Sequence, residues 1–226
     1  MVAVPTARAA RGRTPSPAPA NAVIDGPGGI VALTGLSIAR DGTGGLVYLR
    51  DVAGVPHVFV SALLSGGFQA PVQADGGLAG PSSQPVIAAG NGGVLLVAFI
   101  NAGELYVCQT TGSETPLSAP AALYAPAANP ALSMSNFGKA YLAFTDPSGA
   151  GGGDVRAAYW NGPTHPWALA PEPLDADAAD PAGTGSGRPA VAAAGDGIGI
   201  VAWGEGGHIY TRRLSGASPS VVDEQA

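Results

Sequence analysis

The chain has 226 residues and a mass of 22.1 kDa, with 35 glycines, 21 prolines and only 12% charged residues. Its positive mean hydropathy, +0.23, belongs to folded rather than disordered chains, and its length allows one domain with a sizeable core, or two at most. A net charge of −6 excludes a general binder of nucleic-acid backbones, no apolar run reaches the roughly 20 residues that span a bilayer, and the single Cys108 excludes an internal disulfide or a cysteine-based zinc site.

In residues 1–21 the only charged side chains are Arg8, Arg11 and Arg13, followed by Pro15, Pro17 and Pro19 among Ala and Ser. With no apolar face to bury and no hydrophobic stretch of a secretory signal, this segment is expected to be a disordered, semi-extended linker ahead of a folded region from 22 to 226. The run Ala22-Val23-Ile24-Asp25 reads as a strand before the first full repeat. It either closes a ring against the last repeat or is the outer strand of a preceding unit.

Four diverged repeats follow, at about 34–76, 84–125, 129–177 and 188–223. Each opens on a short apolar strand: Leu36 to Ala39, Pro85 to Ala88, Pro130 to Ser133 and Pro189 to Ala192. A turn comes next, at Asp41-Gly42, Asn91-Gly92, Phe137-Gly138 and Asp196-Gly197, and three of the four are the Asn-Gly or Asp-Gly pairs that supply the positive φ of a tight hairpin. Second strands are anchored on Leu49, Phe99, Phe144 and Trp203. Third strands are centred on Phe59, Tyr106, Arg156 and Tyr210. Weaker fourth strands follow at Pro71 to Gln73, Ala121 to Leu123, Pro173 to Asp175 and Ser220 to Val222, where proline suits an outer edge.

Four antiparallel strands in a unit of roughly 45–55 residues predict an all-β fold, a β-propeller of four recognisable four-stranded blades. Whether these form a closed four-bladed ring or part of a larger propeller is open at this stage. Inner strands without alternation fit packing on both faces, and Ala88, Ala143, Ala192 and Ala202 let neighbouring sheets approach near the axis. A two-sheet sandwich also has many short strands but does not account for four equal repeats.

The pattern best kept at Pro189-Ala190-Val191-Ala192, Asp196-Gly197 and Val201-Ala202-Trp203 resembles that of secreted and surface bacterial repeat propellers, including sialidase-like and lectin-like members, over residues 22–222. The resemblance implies carbohydrate binding and an extracellular or cell-surface setting. It does not extend to the sialidase Asp-box, Ser-x-Asp-x-Gly-x-Thr-Trp, which is only loosely echoed at Ser133–Tyr141, nor to a carboxylate-binding arginine cluster.

Propeller connectivity places the loops between second and third strands on one face, together with the loops that lead to the next blade. That face carries Asp51, Asp75, Glu104, Asp146, Asp154, Asp175, Asp177, Asp180 and Glu205, and the longest insertions, 146–154 and 175–188. Asp146, Asp175, Asp177 and Asp180 are candidate ligands for a hard cation such as Ca²⁺, which takes six to eight oxygens. Aligned repeats place His57, Glu104, Asp154 and His208 just before the third strands, as a candidate ligand-binding set. Cys108, between apolar neighbours, reads as a small buried hydrophobe, Trp160 and Trp167 as packing residues, and His165 as a solvent-facing turn residue.

No catalytic group is assigned. The function expected is a non-catalytic recognition module for a glycan or a surface protein on the acidic long-loop face. The alternatives are a glycoside hydrolase-like enzyme using carboxylates of that face, and a structural or self-associating partial propeller.

Overall fold

A computed structural model describes residues 23–224. Four antiparallel sheets follow one another along the chain, with no α-helix among the described residues. The first contains β1 (Ile30–Ile38), β2 (Gly44–Val52) and β3 (Val55–Leu64), with the short β4 (Gly67–Phe68) and β5 (Val72–Gln73) both on β3. The second contains β6 (Ser82–Gly90), β7 (Val94–Asn101), β8 (Glu104–Gln109) and β9 (Ala121–Tyr124). The third contains β10 (Ala128–Met134), β11 (Ala140–Asp146), β12 (Asp154–Trp160) and β13 (Ala168–Leu169). The fourth contains β14 (Ala190–Ala193), β15 (Ile198–Glu205), β16 (His208–Ser215) and β17 (Ser218–Glu224).

Each sheet is a meander, because tight turns between apolar strands leave the chain no route but back along its neighbour. The sheets pack face to face in chain order, which makes the arrangement propeller-like. First strands β1, β6, β10 and β14 lie side by side on the inside of the arc. Their turns are stitched together: the Asp41 carboxylate accepts the Gly92 N–H at 2.6 Å, and Asn91 donates to the Asn136 carbonyl. Ser37 and Ser133 repeat one device, each hydroxyl accepting the N–H of a residue in the following blade, Ala89 and Ala193, at 3.0 Å.

Apolar cores fill the three junctions. Val47, Val58 and Val60 meet Ile87, Val97 and Phe99 between the first two blades. Ala98, Ile100 and Leu105 meet Leu142 and Phe144 at the second junction. Tyr141, Ala143 and Val155 meet Val201, Trp203 and Leu214 at the third. None of these clusters joins the first blade to the fourth. Cys108 lies inside the first core, where burial pushes its thiol up to about 12, as expected for an inert buried thiol.

Three expectations from the sequence are corrected. Val23–Asp25 forms no strand, and Ala22 lies outside the described residues; Asp25 instead packs on the first blade through Tyr48 and Arg50. The third blade ends in β13, not at 173–175, because Pro171 and Pro173 lack the N–H groups a ladder needs, and Leu174 donates a single bond to Val155. The ladders also shift the repeat alignment of the first blade, by one residue in the second strand and by two in the third. Aligned at their β2–β3-type turns, Arg50 rather than Leu49 matches Phe99, Phe144 and Trp203. A one-residue slip moves a strand's side chains to the opposite face, so it decides which side of the first blade is apolar.

Candidate functional site

The same ladders show where the sequence-predicted ligand set stands. Turn-adjacent positions at the start of the third strands belong to Val55, Glu104, Asp154 and His208, so His57 is two residues further along β3. The four expected residues do not converge. His57 Nδ1 meets the fully buried Asp75 at 3.0 Å, and Asp75 also accepts from Ser82 and Gln73. Glu104 accepts the Tyr106 hydroxyl within its own blade, Asp154 is buried, and His208 is exposed beside Tyr210.

What the fold does gather is a set of carboxylates around the long-loop end of the third blade, Asp146 reaching the second blade through Tyr124 and Glu205 coming from the fourth. Asp146 and Asp154 close the β11–β12 hairpin as its last ladder pair, Asp175 opens the long connection to the fourth blade, and Glu205 ends β15. All except the half-buried Asp175 are buried. Buried charge is tolerated only when partnered, so each carboxylate must be accounted for.

Asp146 is fully committed: one oxygen accepts the Tyr124 hydroxyl at 2.5 Å, and the other accepts the backbone N–H and hydroxyl of Ser148. Burial opposes its ionisation, yet these hydrogen bonds prevail and hold its carboxyl below the usual range. Glu205 is equally saturated. It accepts the N–H groups of Ala176 and Asp177 at 3.1 and 2.5 Å and the indole N–H of Trp203 at 2.7 Å. Its charge thus clamps the start of the long loop onto the fourth blade.

Asp154 and Asp175 behave differently. Asp154 pairs with Arg156 at 3.6 Å through Oδ2, while Oδ1 is buried with no hydrogen-bond partner among the ordinary donors. Asp175 accepts the Val155 N–H at 2.7 Å. Burial pushes its carboxyl up to about 7; that N–H pulls it down, and the neighbouring charges of Asp154 and Glu205 push it further up. The charge of Asp154 thus favours the neutral form of Asp175 beside it. Arg212 reaches the backbone carbonyls of Pro173 and Asp175 from the fourth blade and steadies the same turn.

Of the expected cation ligands, Asp177 is exposed and turns back on the Ala179 N–H, while the exposed Asp180 lies against Gly206. Among the described residues no three carboxylate, imidazole or thiol groups converge in a metal-binding arrangement. Trp160 is fully buried and stacks with Trp167 at 6.4 Å, in line with a packing role.

The clamped loop walls a cleft of about 530 Å³ lined by Pro181, Thr184, Ser186, Glu205, His208 and Ile209. The wall is rigid for identifiable reasons. Thr145 Oγ1 donates to the Gly183 carbonyl, Ala182 bridges to Glu205, and Gly187 and Gly204 approach so closely that a Cβ on Gly204 would stand 2.8 Å from the Gly187 Cα. This cleft is a feature that the repeat pattern did not disclose, since it depends on glycine-to-glycine contact across an insertion.

No family model matches the chain, and no curated protein matches it in sequence. Solved structures do match in shape. A protein of unknown function from Dyadobacter fermentans aligns with a TM-score of 0.56 at 11% identity, over 84% of this chain and 67% of that one. A Hadza microbial sialidase gives 0.54 at 11% identity, over 84% and 45%. A polysaccharide lyase of the ulvan lyase family gives 0.52 at 10% identity, over 83% and 54%. The chain thus spans about half to two thirds of the length of the structures it matches, and at these identities the likeness is one of fold.

Proposed function

We propose that the chain is a non-catalytic recognition module whose long-loop face binds a hydroxyl-rich ligand, a glycan, in the cleft beside Glu205 and His208. The observation that carries this reading is the commitment of the buried carboxylates: Glu205 holds three donors and Asp146 three, so both are engaged in holding the fold rather than presented to a substrate as nucleophile or base. Glu205 braces the cleft wall, and a braced wall with threonine, serine, histidine and backbone groups offers hydrogen bonds to hydroxyls without reorganising. Support also comes from the fold neighbours, two of which are named as a sialidase and an ulvan lyase.

A second reading, a glycan-cleaving enzyme, is favoured by one observation. A carboxyl raised to about 7 is suited to act as a general acid at neutral pH, and Asp175 is such a group. Screening the protein on an oligosaccharide array and, in parallel, on chromogenic glycosides separates the two. Saturable array binding with no turnover is expected. Turnover that Asp175→Asn abolishes would replace the module by the enzyme.

A further inference from the structure

Each end of the arc presents an apolar face that the inner blades bury. On the first blade, Leu46, Tyr48 and Arg50 hold the positions of Leu95, Val97 and Phe99, of Ala140, Leu142 and Phe144, and of Gly199, Val201 and Trp203. In the three later blades this face is packed by the blade before it. In the first blade it carries the short segment at Asp25, whose carboxylate accepts from Tyr48 and Arg50, and an apolar cavity of about 280 Å³. Around it Ile30, Leu33, Leu36 and Ile38 are 47–70% exposed.

The fourth blade shows the other half of the same relation. Ile200 holds the position of Val47, Leu96 and Tyr141, each of which is buried against the next blade. Ile200 is 42% exposed, with Ile198 at 38% two residues before it on the same side of the sheet. Contiguous exposed apolar side chains of this kind mark an interaction surface.

We infer that a second copy of this chain covers both faces, the fourth blade of each copy packing on the first blade of the other. The argument is continuity with the interface the chain already makes at every internal junction. The two exposed faces are its opposite halves, so joining them repeats a packing the sequence has been shaped for, whereas like-on-like contact would have no counterpart in the molecule. A two-fold pair of arcs satisfies both faces at once and leaves no apolar end.

The test is light scattering on the 226-residue chain, with Leu33→Asp and Ile200→Asp as variants at exposed positions. The parent is expected at twice 22.1 kDa and each variant at 22.1 kDa. An equimolar mixture of the two variants should regain the double mass, because it puts both charges in one junction and leaves the other intact; Leu36→Asp with Ile198→Asp, both at exposed positions, provides a second pair should either of the first fail to fold. A parent that stays monomeric at about 100 μM, a pair indifferent to both substitutions, or a mass that grows without limit would overturn the inference. None of these readouts involves a ligand, so they are independent of the recognition reading.

Discussion

Asp175 neighbours Asp154 where the third blade gives way to the long connection to the fourth, and burial, followed by the charges of Asp154 and Glu205, raises the Asp175 carboxyl above its ordinary range.

The stability of the protein should therefore depend on pH through Asp175. Its folded value, about 7, lies above the ordinary 3.8, so the stabilisation is complete below about pH 4 and is lost as pH rises towards 7. Urea unfolding at a series of pH values should show stability falling across that window. Asp175→Asn, which keeps an acceptor for Val155 and a donor for Asp154, should flatten the profile and be the more stable form at pH 8.

Glu205→Ala should be strongly destabilising. It leaves the N–H groups of Ala176, Asp177 and Trp203 without their acceptor in a site 3% exposed, which costs about 2–4 kcal/mol. Chemical denaturation measures the loss, and proteolysis should find its first cuts within residues 175–188 once the clamp is gone.

Tyr141→Phe tests the third junction. The Tyr141 hydroxyl donates to the Gly197 carbonyl at 2.6 Å and accepts the Gly216 N–H at 3.2 Å, both from the fourth blade. Removing it should lower stability by about 1–2 kcal/mol while leaving the ring packed against Gly199, a change that calorimetry would detect as a lowered Tm.

A substitution in the opposite direction is available in the hairpin between β7 and β8. Ala102 sits at φ 51 next to Gly103 at φ 80, a turn that requires positive φ at both residues. Ala102→Gly should relieve left-handed strain and raise stability by about 0.5–1 kcal/mol after its entropic cost. The equivalent Ala53, at φ 55, should respond alike.

Much of this architecture was legible in the amino-acid order. Asp41-Gly42, Asn91-Gly92 and Asp196-Gly197 announce the first hairpin of three blades, and the apolar strands around them identify the inner layer. The β2–β3 turns were harder to place because Ala53-Gly54 and Ala102-Gly103 lack the Asn or Asp that signals such a turn, and this allowed the slip, one residue in the second strand and two in the third, that put His57 in line with Glu104. The acidic residues near the ends of the second strands and in the long connections were readable as candidates, but their burial was not. Only the contact of the 175–188 loop with the β15 end turns Glu205 from a solvated charge into a clamp.

The recognition reading meets its most direct test in calorimetric titration of an array-selected oligosaccharide, with product analysis on the same mixture. Saturable binding of an intact oligosaccharide, weakened about tenfold by His208→Ala, is the predicted result. Cleavage of the oligosaccharide, or binding that His208→Ala and Ser186→Ala leave unchanged, would contradict it.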